Sequence, residues 1–155
     1  MDVIIRDANA DDIPSLIPIW LEFMGYLQGH NPDYWKMEDG EDAFARHLTT
    51  SLEDLRSLIA VAETNGNLAG FCLAYIDGLP EWFGAEKIGL IRYLAVSKDY
   101  RRGGIGQKLV SFMLNWFSNN GIERVEVFVL KGIPASSFWA KLGFKEFMDR
   151  RFLKL

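Results

Sequence analysis

A mixed α/β (α+β) domain is what this chain predicts, and three observations carry the prediction. Short β-branched runs alternate with stretches whose apolar residues recur at helical spacing. An Asn-Gly pair separates two apolar runs, as in a hairpin. A knot of glycines joins another apolar strand directly to the most apolar helical stretch. The predicted order is β-α-α-β-β-β-α-β-α-β-β, a mixed central sheet of about six to seven strands flanked by about four helices. The length of 155 residues suits one domain, spanning 1–155, and no repeat, low-complexity tract or linker interrupts it.

The elements follow in order. "VIIRDA", Val3 to Ala8, reads as a first strand. Asp11 or Asp12 can cap a helix carrying Ile13, Leu16, Ile17, Trp20, Leu21 and Met24 on one face. Pro14 is tolerated in its first turn, whereas Pro18 predicts a kink or break. An irregular segment from Gly25 to Gly40 precedes a second helix with Phe44, Leu48, Leu52 and Leu55 on one side. Ser57 to Glu63 and Leu68 to Ile76 form two strands around the Asn65-Gly66 turn, and Lys87 to Val96 is a third. The glycine knot leads into a helix apolar over most of its circumference, with a narrow stripe of Lys108, Ser111, Asn115 and Ser118. Arg124 to Leu130 is the next strand, reached by a crossover expected to be parallel. "PASSFWAKLGF" gives a short helix between Pro134 and Gly143. Strand-like pieces at Phe144 to Phe147 and Arg151 to Leu155 close the chain, and the latter offers an edge for a homodimer.

Composition excludes several classes. A formal net charge of −4 argues against general nucleic-acid binding, which leaves a basic footprint. No apolar run approaches the roughly 20 residues of a membrane span, and no signal-peptide pattern opens the chain. The lone Cys72, in an apolar run, reads as a buried thiol in a reducing, cytoplasmic setting. His30 and His47 have no partners at metal-ligand spacing, so they read as surface or packing residues, and no metal is expected.

The chemistry concentrates in "DYRRGGIGQKLV". A strand, a glycine-rich turn and a helix start form a general device for holding phosphate. The first helical amides lack intrahelical partners, the helix dipole adds positive potential, and glycines let an anion approach. A glycine-rich connector without a ligand is the bland alternative. "RRGGIGQK" lacks the Gly-Lys-Ser/Thr ending of a P-loop, and Gly104-Ile105-Gly106 lacks the third glycine of a dinucleotide fingerprint.

The stretch resembles the acyl-CoA-binding motif of the GNAT N-acyltransferase superfamily, Arg/Gln-x-x-Gly-x-Gly/Ala, matched by Arg101, Gly104 and Gly106. "ASSFWAKLGF" resembles the superfamily's second motif, A-x-x-F-Y-x-K-x-G-F, and the strand order matches the same fold along essentially the whole chain. The resemblance implies an N-acetyltransferase moving acetyl from acetyl-CoA, its cosubstrate, to a primary amine of a small molecule or peptide. It implies that the loop Arg101, Arg102, Gly103, Gly104, Ile105, Gly106 and Gln107 holds the coenzyme A pyrophosphate. It also implies that Leu94, Ala95 and Val96 pair with the pantetheine arm, an N–H near Leu94 polarising the thioester carbonyl.

Three departures qualify it. Trp139 stands where relatives carry a proton-donating tyrosine, Leu130-Lys131-Gly132 where many carry asparagine, and Arg92 where a carboxylate often precedes the coenzyme-contacting residues. Glu86, with Glu81 behind it, is the candidate base through a water relay. These departures keep open a second class of function, an acyl-CoA-binding domain that regulates a partner without catalysis. The acceptor side is expected from Gly25 to Gly40 and Asp77 to Glu86, where Tyr34, Trp35 and Trp82 accompany carboxylates suited to an amine. Arg92, if it faces the cleft, could hold a carboxylate of the acceptor.

Overall fold

The computed structural model describes residues 2–84 and 87–155. Strand β1 (Ile4–Asp7) is followed by a 3-10 turn and helix α1 (Ile13–His30). Asp12, one of the two expected residues, occupies the cap position of α1 but makes no side-chain cap bond to it; Asn9 caps the 3-10 turn, its side chain accepting the Asp11 N–H while the Asp12 carboxylate accepts the Asn9 N–H in return. Arg6 donates to both oxygens of Asp12 at 2.8 and 2.9 Å and to Glu63 at 2.9 Å, tying β1 to the start of α1. Helix α1 runs through Pro18 without the expected break. Pro18 and Pro14 lie on the exposed face, so the carbonyl left without its N–H partner is open to solvent rather than buried.

Helix α2 (Glu41–Glu53) buries Phe44 and Leu48. Leu55, expected on that face, lies beyond the helix end and is exposed. Strands β2 (Ser57–Thr64) and β3 (Asn67–Gly78) form the predicted hairpin, with Asn65 and Gly66 both at positive φ, 50° and 76°. Strand β4 (Lys87–Val96) pairs antiparallel with β3, and helix α3 (Ile105–Asn119) crosses to β5 (Val125–Val127), which runs parallel to β4. Helix α4 (Ala135–Lys141) follows.

Among the described residues the sheet has five strands, in the order β1-β2-β3-β4-β5, not six to seven. The chain from 142 to 155 forms no strand, and Phe147, Met148, Phe152 and Leu153 are exposed. The strand-like pieces expected at Phe144 to Phe147 and Arg151 to Leu155 are therefore not strands in this chain, although β5 is left with an open outer edge. Two cores lie on opposite faces of the sheet. One joins α3 and Trp139 of α4 to Cys72, Ala74 and Ile91. The other joins α1 and α2 to Ile59, Val61, Phe71, Leu73 and Ala95. Among the described residues, no helix is long and apolar enough to cross a membrane.

Candidate active site

The site begins with an interruption in the sheet. Strand β4 pairs with β5 only at Gly89, Leu90 and Ile91. Beyond Ile91, β4 keeps its partner β3 through Val96, while residues 128–130 leave the sheet. Ser97 N–H donates to Ala69 O at 2.8 Å. Counting back along the antiparallel ladder from that bonded pair turns the N–H and C=O of Leu94 and Val96 away from β3, toward the vacant edge. The Val96 carbonyl, facing that way, accepts Arg101 Nε at 3.0 Å.

The vacant edge leads into an open helix terminus. Gly104 sits at φ 74° as the cap of α3 and Arg102 at φ 67°, while no side chain caps the helix. The first intrahelical bond runs from Lys108 N–H to Gly104 O at 3.1 Å, leaving the amides of Ile105, Gly106 and Gln107 without a helical partner. Ile105 buries its side chain in the core and offers only backbone. Gly106 lies close under Phe138, where an added Cβ would come within 3.3 Å of the ring and 3.9 Å of Leu94. An uncapped terminus at the end of an unpaired strand edge fits a ligand that combines amides with a diphosphate.

Arg101 has partners within the protein. Besides Val96 O it approaches Glu22 of α1 at 3.9 Å and lies over Tyr26, 5.9 Å from the ring centre. Glu22 also accepts Lys98 N–H at 2.9 Å. Arg101 therefore fastens the loop to α1, and the amides of 103–107 are what the loop presents. Arg102 and Gln107 are exposed.

On the other face of the sheet a cleft of about 420 Å³ is lined by Trp20, Met37, Phe44, His47, Arg92 and Tyr93. A register shift in β4, where Leu73 faces Tyr93 but Ala74 faces Ile91, makes Arg92 a bulge residue. The bulge turns Arg92 and Tyr93 to the same side, which plain alternation forbids. Arg92 lies over the Tyr93 ring at 5.7 Å, and Tyr93 stands edge-on to Phe44 at 5.4 Å and Phe23 at 6.2 Å. Burial, and then the positive charge of Arg92, push the His47 imidazole below its ordinary value. Burial, then Tyr93, raises the Tyr34 phenol, against a smaller opposing pull from Arg92.

Of the expected acceptor residues, Arg92 lines this cleft, and Tyr34 is near enough for the Arg92 charge to act on its phenol. Trp35 is 66% exposed under Arg150, and Trp82 is 81% exposed beside Phe83. Both indoles are turned to solvent. Glu86, the expected base, lies outside the described residues. Trp139, at the position of the expected tyrosine, is buried between Phe138 and Phe144. Ser137 Oγ donates to Pro134 O at 3.0 Å, a local helix-start bond. His47 belongs to the cleft although its sequence spacing matched no ligand pattern. Only its helical distance of three from Phe44 placed it beside the buried face of α2, at that face's exposed margin. Among the described residues, no three potential ligands gather to hold a metal. Cys72 is fully buried, which pushes its thiol pKa upward.

Similarity to known proteins agrees with this geometry. The curated N-acetyltransferase YobR of Bacillus subtilis is 21% identical over 86% of this chain, and an N-acetyltransferase of Methanocaldococcus jannaschii is 25% identical over 92%. The chain spans 48% and 60% of those two proteins. A predicted acetyltransferase of Clostridium acetobutylicum, solved with acetyl-CoA, shares the fold with a TM-score of 0.82 at 17% identity, over 99% of this chain and 96% of that one. The acetyltransferase (GNAT) family model matches residues 20–144, from the cleft residue Trp20 through the glycine loop to the end of the second motif, and the chain belongs to that family.

Proposed function

We propose that this chain transfers an acetyl group from acetyl-CoA to a primary amine of a small molecule or peptide, by direct attack within a ternary complex. The observation that carries the reading is the vacant edge of β4 running into the uncapped start of α3. Leu94 and Val96 would pair with the amides of the pantetheine arm, and the backbone from Gly103 to Gln107 would hold the diphosphate. When bound, acetyl-CoA supplies an activated acyl carbon. The lone pair of the amine nitrogen forms the new C–N bond, the C–S bond breaks, and its electron pair leaves with sulfur. The nitrogen loses a proton and the thiolate gains one from solvent. His47 is the side chain in the cleft lining that can accept a proton at neutral pH, and we assign it the amine's proton.

The buried Trp139 favours one competing reading, an acyl-CoA-binding domain that regulates a partner without turnover. The carboxylate of Gly104→Asp would lie where the diphosphate is held, on a backbone at φ 74°. Titration calorimetry should register at least a tenfold loss of acetyl-CoA affinity, about 1.4 kcal/mol. Unchanged affinity in a folded variant overturns the cradle. Thiol release from acetyl-CoA with an amine panel supports transfer, whereas binding without turnover favours the regulatory reading.

A further inference from the structure

We infer that Arg92 is the carboxylate-binding residue of the acceptor cleft, so that the acceptor is a small amine carrying both a carboxylate and an apolar body. This rests on the reading of the chain as an N-acetyltransferase whose acceptor enters on the α1–α2 face.

Three observations converge on it. The bulge in β4 is what brings Arg92 into the cleft, since regular alternation would send it or Tyr93 to the opposite face. Its guanidinium lies over the Tyr93 ring, and Tyr93 is itself wedged against Phe44 and Phe23, so the cation is held in place by aromatic packing. Among the described residues Arg92, like Arg46, Arg102 and Arg150, has no carboxylate within 4 Å, and of these four it alone lines the cleft.

The rest of the lining sorts acceptors by charge. Among the described residues no carboxylate lines the cleft; Glu38, Asp39, Glu41 and Asp42, close by in sequence, are exposed outside it. His47, the other nitrogen base present, is held toward its uncharged form. A polycationic amine would meet Arg92 with nothing in the lining to offset the repulsion. A carboxylate would instead take two parallel N–H donors from the guanidinium fork. The stacked rings of Trp20 and Phe44, 4.0 Å apart, and Met37 form an apolar wall for the remainder of the molecule.

The test uses the full chain with acetyl-CoA and three matched amines: L-phenylalanine, L-phenylalaninamide and phenethylamine, with spermidine as the polycation. L-phenylalanine should show a kcat/KM at least about tenfold above its amide and above spermidine. Arg92→Ala should abolish that preference by raising the KM for L-phenylalanine, leaving the acetyl-CoA KM unchanged, and Arg92→Lys should restore part of it. Because Arg92 is exposed on a strand paired with β3, the variants should fold, and acetyl-CoA binding by calorimetry reports that they do. Acetyl-CoA binding with equal or better turnover of the amide or spermidine, or with no member of the panel turned over, overturns the role of Arg92 and spares the family's cosubstrate. Failure to bind acetyl-CoA overturns the underlying reading as well.

Discussion

Arg92 and His47 reach one cleft from different elements, and the charge of the first bears on the protonation of the second. Burial is the larger cause of the low His47 pKa and Arg92 the smaller. Both disfavour the imidazolium, so the ring loses its proton at lower pH than the ordinary ~6.5 and is neutral at pH 7. The groups that share its surroundings are Arg92 and Tyr93 on β4, and Asp54, Arg56, Tyr75 and Asp77 around an adjoining cleft of about 280 Å³. If His47 takes the amine's proton, kcat at saturating substrates rises through a limb below the ordinary imidazole range and is level above it. Arg92→Gln removes one of the two causes and should move that limb upward. His47→Gln should abolish the limb and lower kcat about a hundredfold. A pH–rate profile of the three proteins checks this, and a limb that survives His47→Gln assigns the proton to another group.

At the scale of elements, the link between α1 and the β4–α3 loop matters most. Glu22 accepts the Lys98 N–H, lies 3.4 Å from Ser97 Oγ and pairs with Arg101, so one carboxylate fixes the strand end and the loop together. Glu22→Ala should raise the KM for acetyl-CoA about three- to tenfold with kcat little changed, because it loosens the cradle without entering it. A steady-state comparison decides, and an unchanged KM would mean that the loop holds its shape unaided. This link also marks where reading the sequence stops. The glycine positions and strand β4 were legible because local backbone chemistry dictates them: Gly104 needs its positive φ, and Lys87 to Val96 is apolar with turn signals at both ends. Arg101 was legible as part of the motif, but its role was not, since its partner Glu22 lies far away in the chain. The bulge at Arg92 was hidden for a related reason. Alternation assumes a regular pleat, and the extra residue is defined only by its register against β3. The two final strands failed oppositely: Phe144 to Phe147 and Arg151 to Leu155 carry a strand-like pattern, but a short pattern does not specify pairing, and neither piece joins the sheet.

The whole molecule places the two proposed half-sites on opposite faces of one sheet. The α3–α4 face carries the glycine cradle beside Phe138, and the α1–α2 face carries the cleft with Arg92 and His47. Strand β4 is common to both, its pairing with β5 ends at Ile91 and Val127, and on the proposed function the carrier would cross between the faces there. A thioester carrier laid along the open edge of β4 would complete the hydrogen bonding of Leu94 and Val96 and give the amides at the start of α3 their acceptors. Ligand that binds only the folded chain stabilises it by mass action, about 2.7 kcal/mol at a hundred times Kd. For a chain of this length that corresponds to a rise in Tm of roughly 5–10 °C. Hydrogen exchange should locate the gain. Amides that exchange by local fluctuation at Leu94, Val96 and 104–107 should slow most on adding acetyl-CoA, and those of the exposed face of α2 least. Slowing confined to the α1–α2 cleft, or a Tm that does not move at saturating acetyl-CoA, would place the ligand elsewhere and leave the open edge of β4 as a feature of the sheet alone.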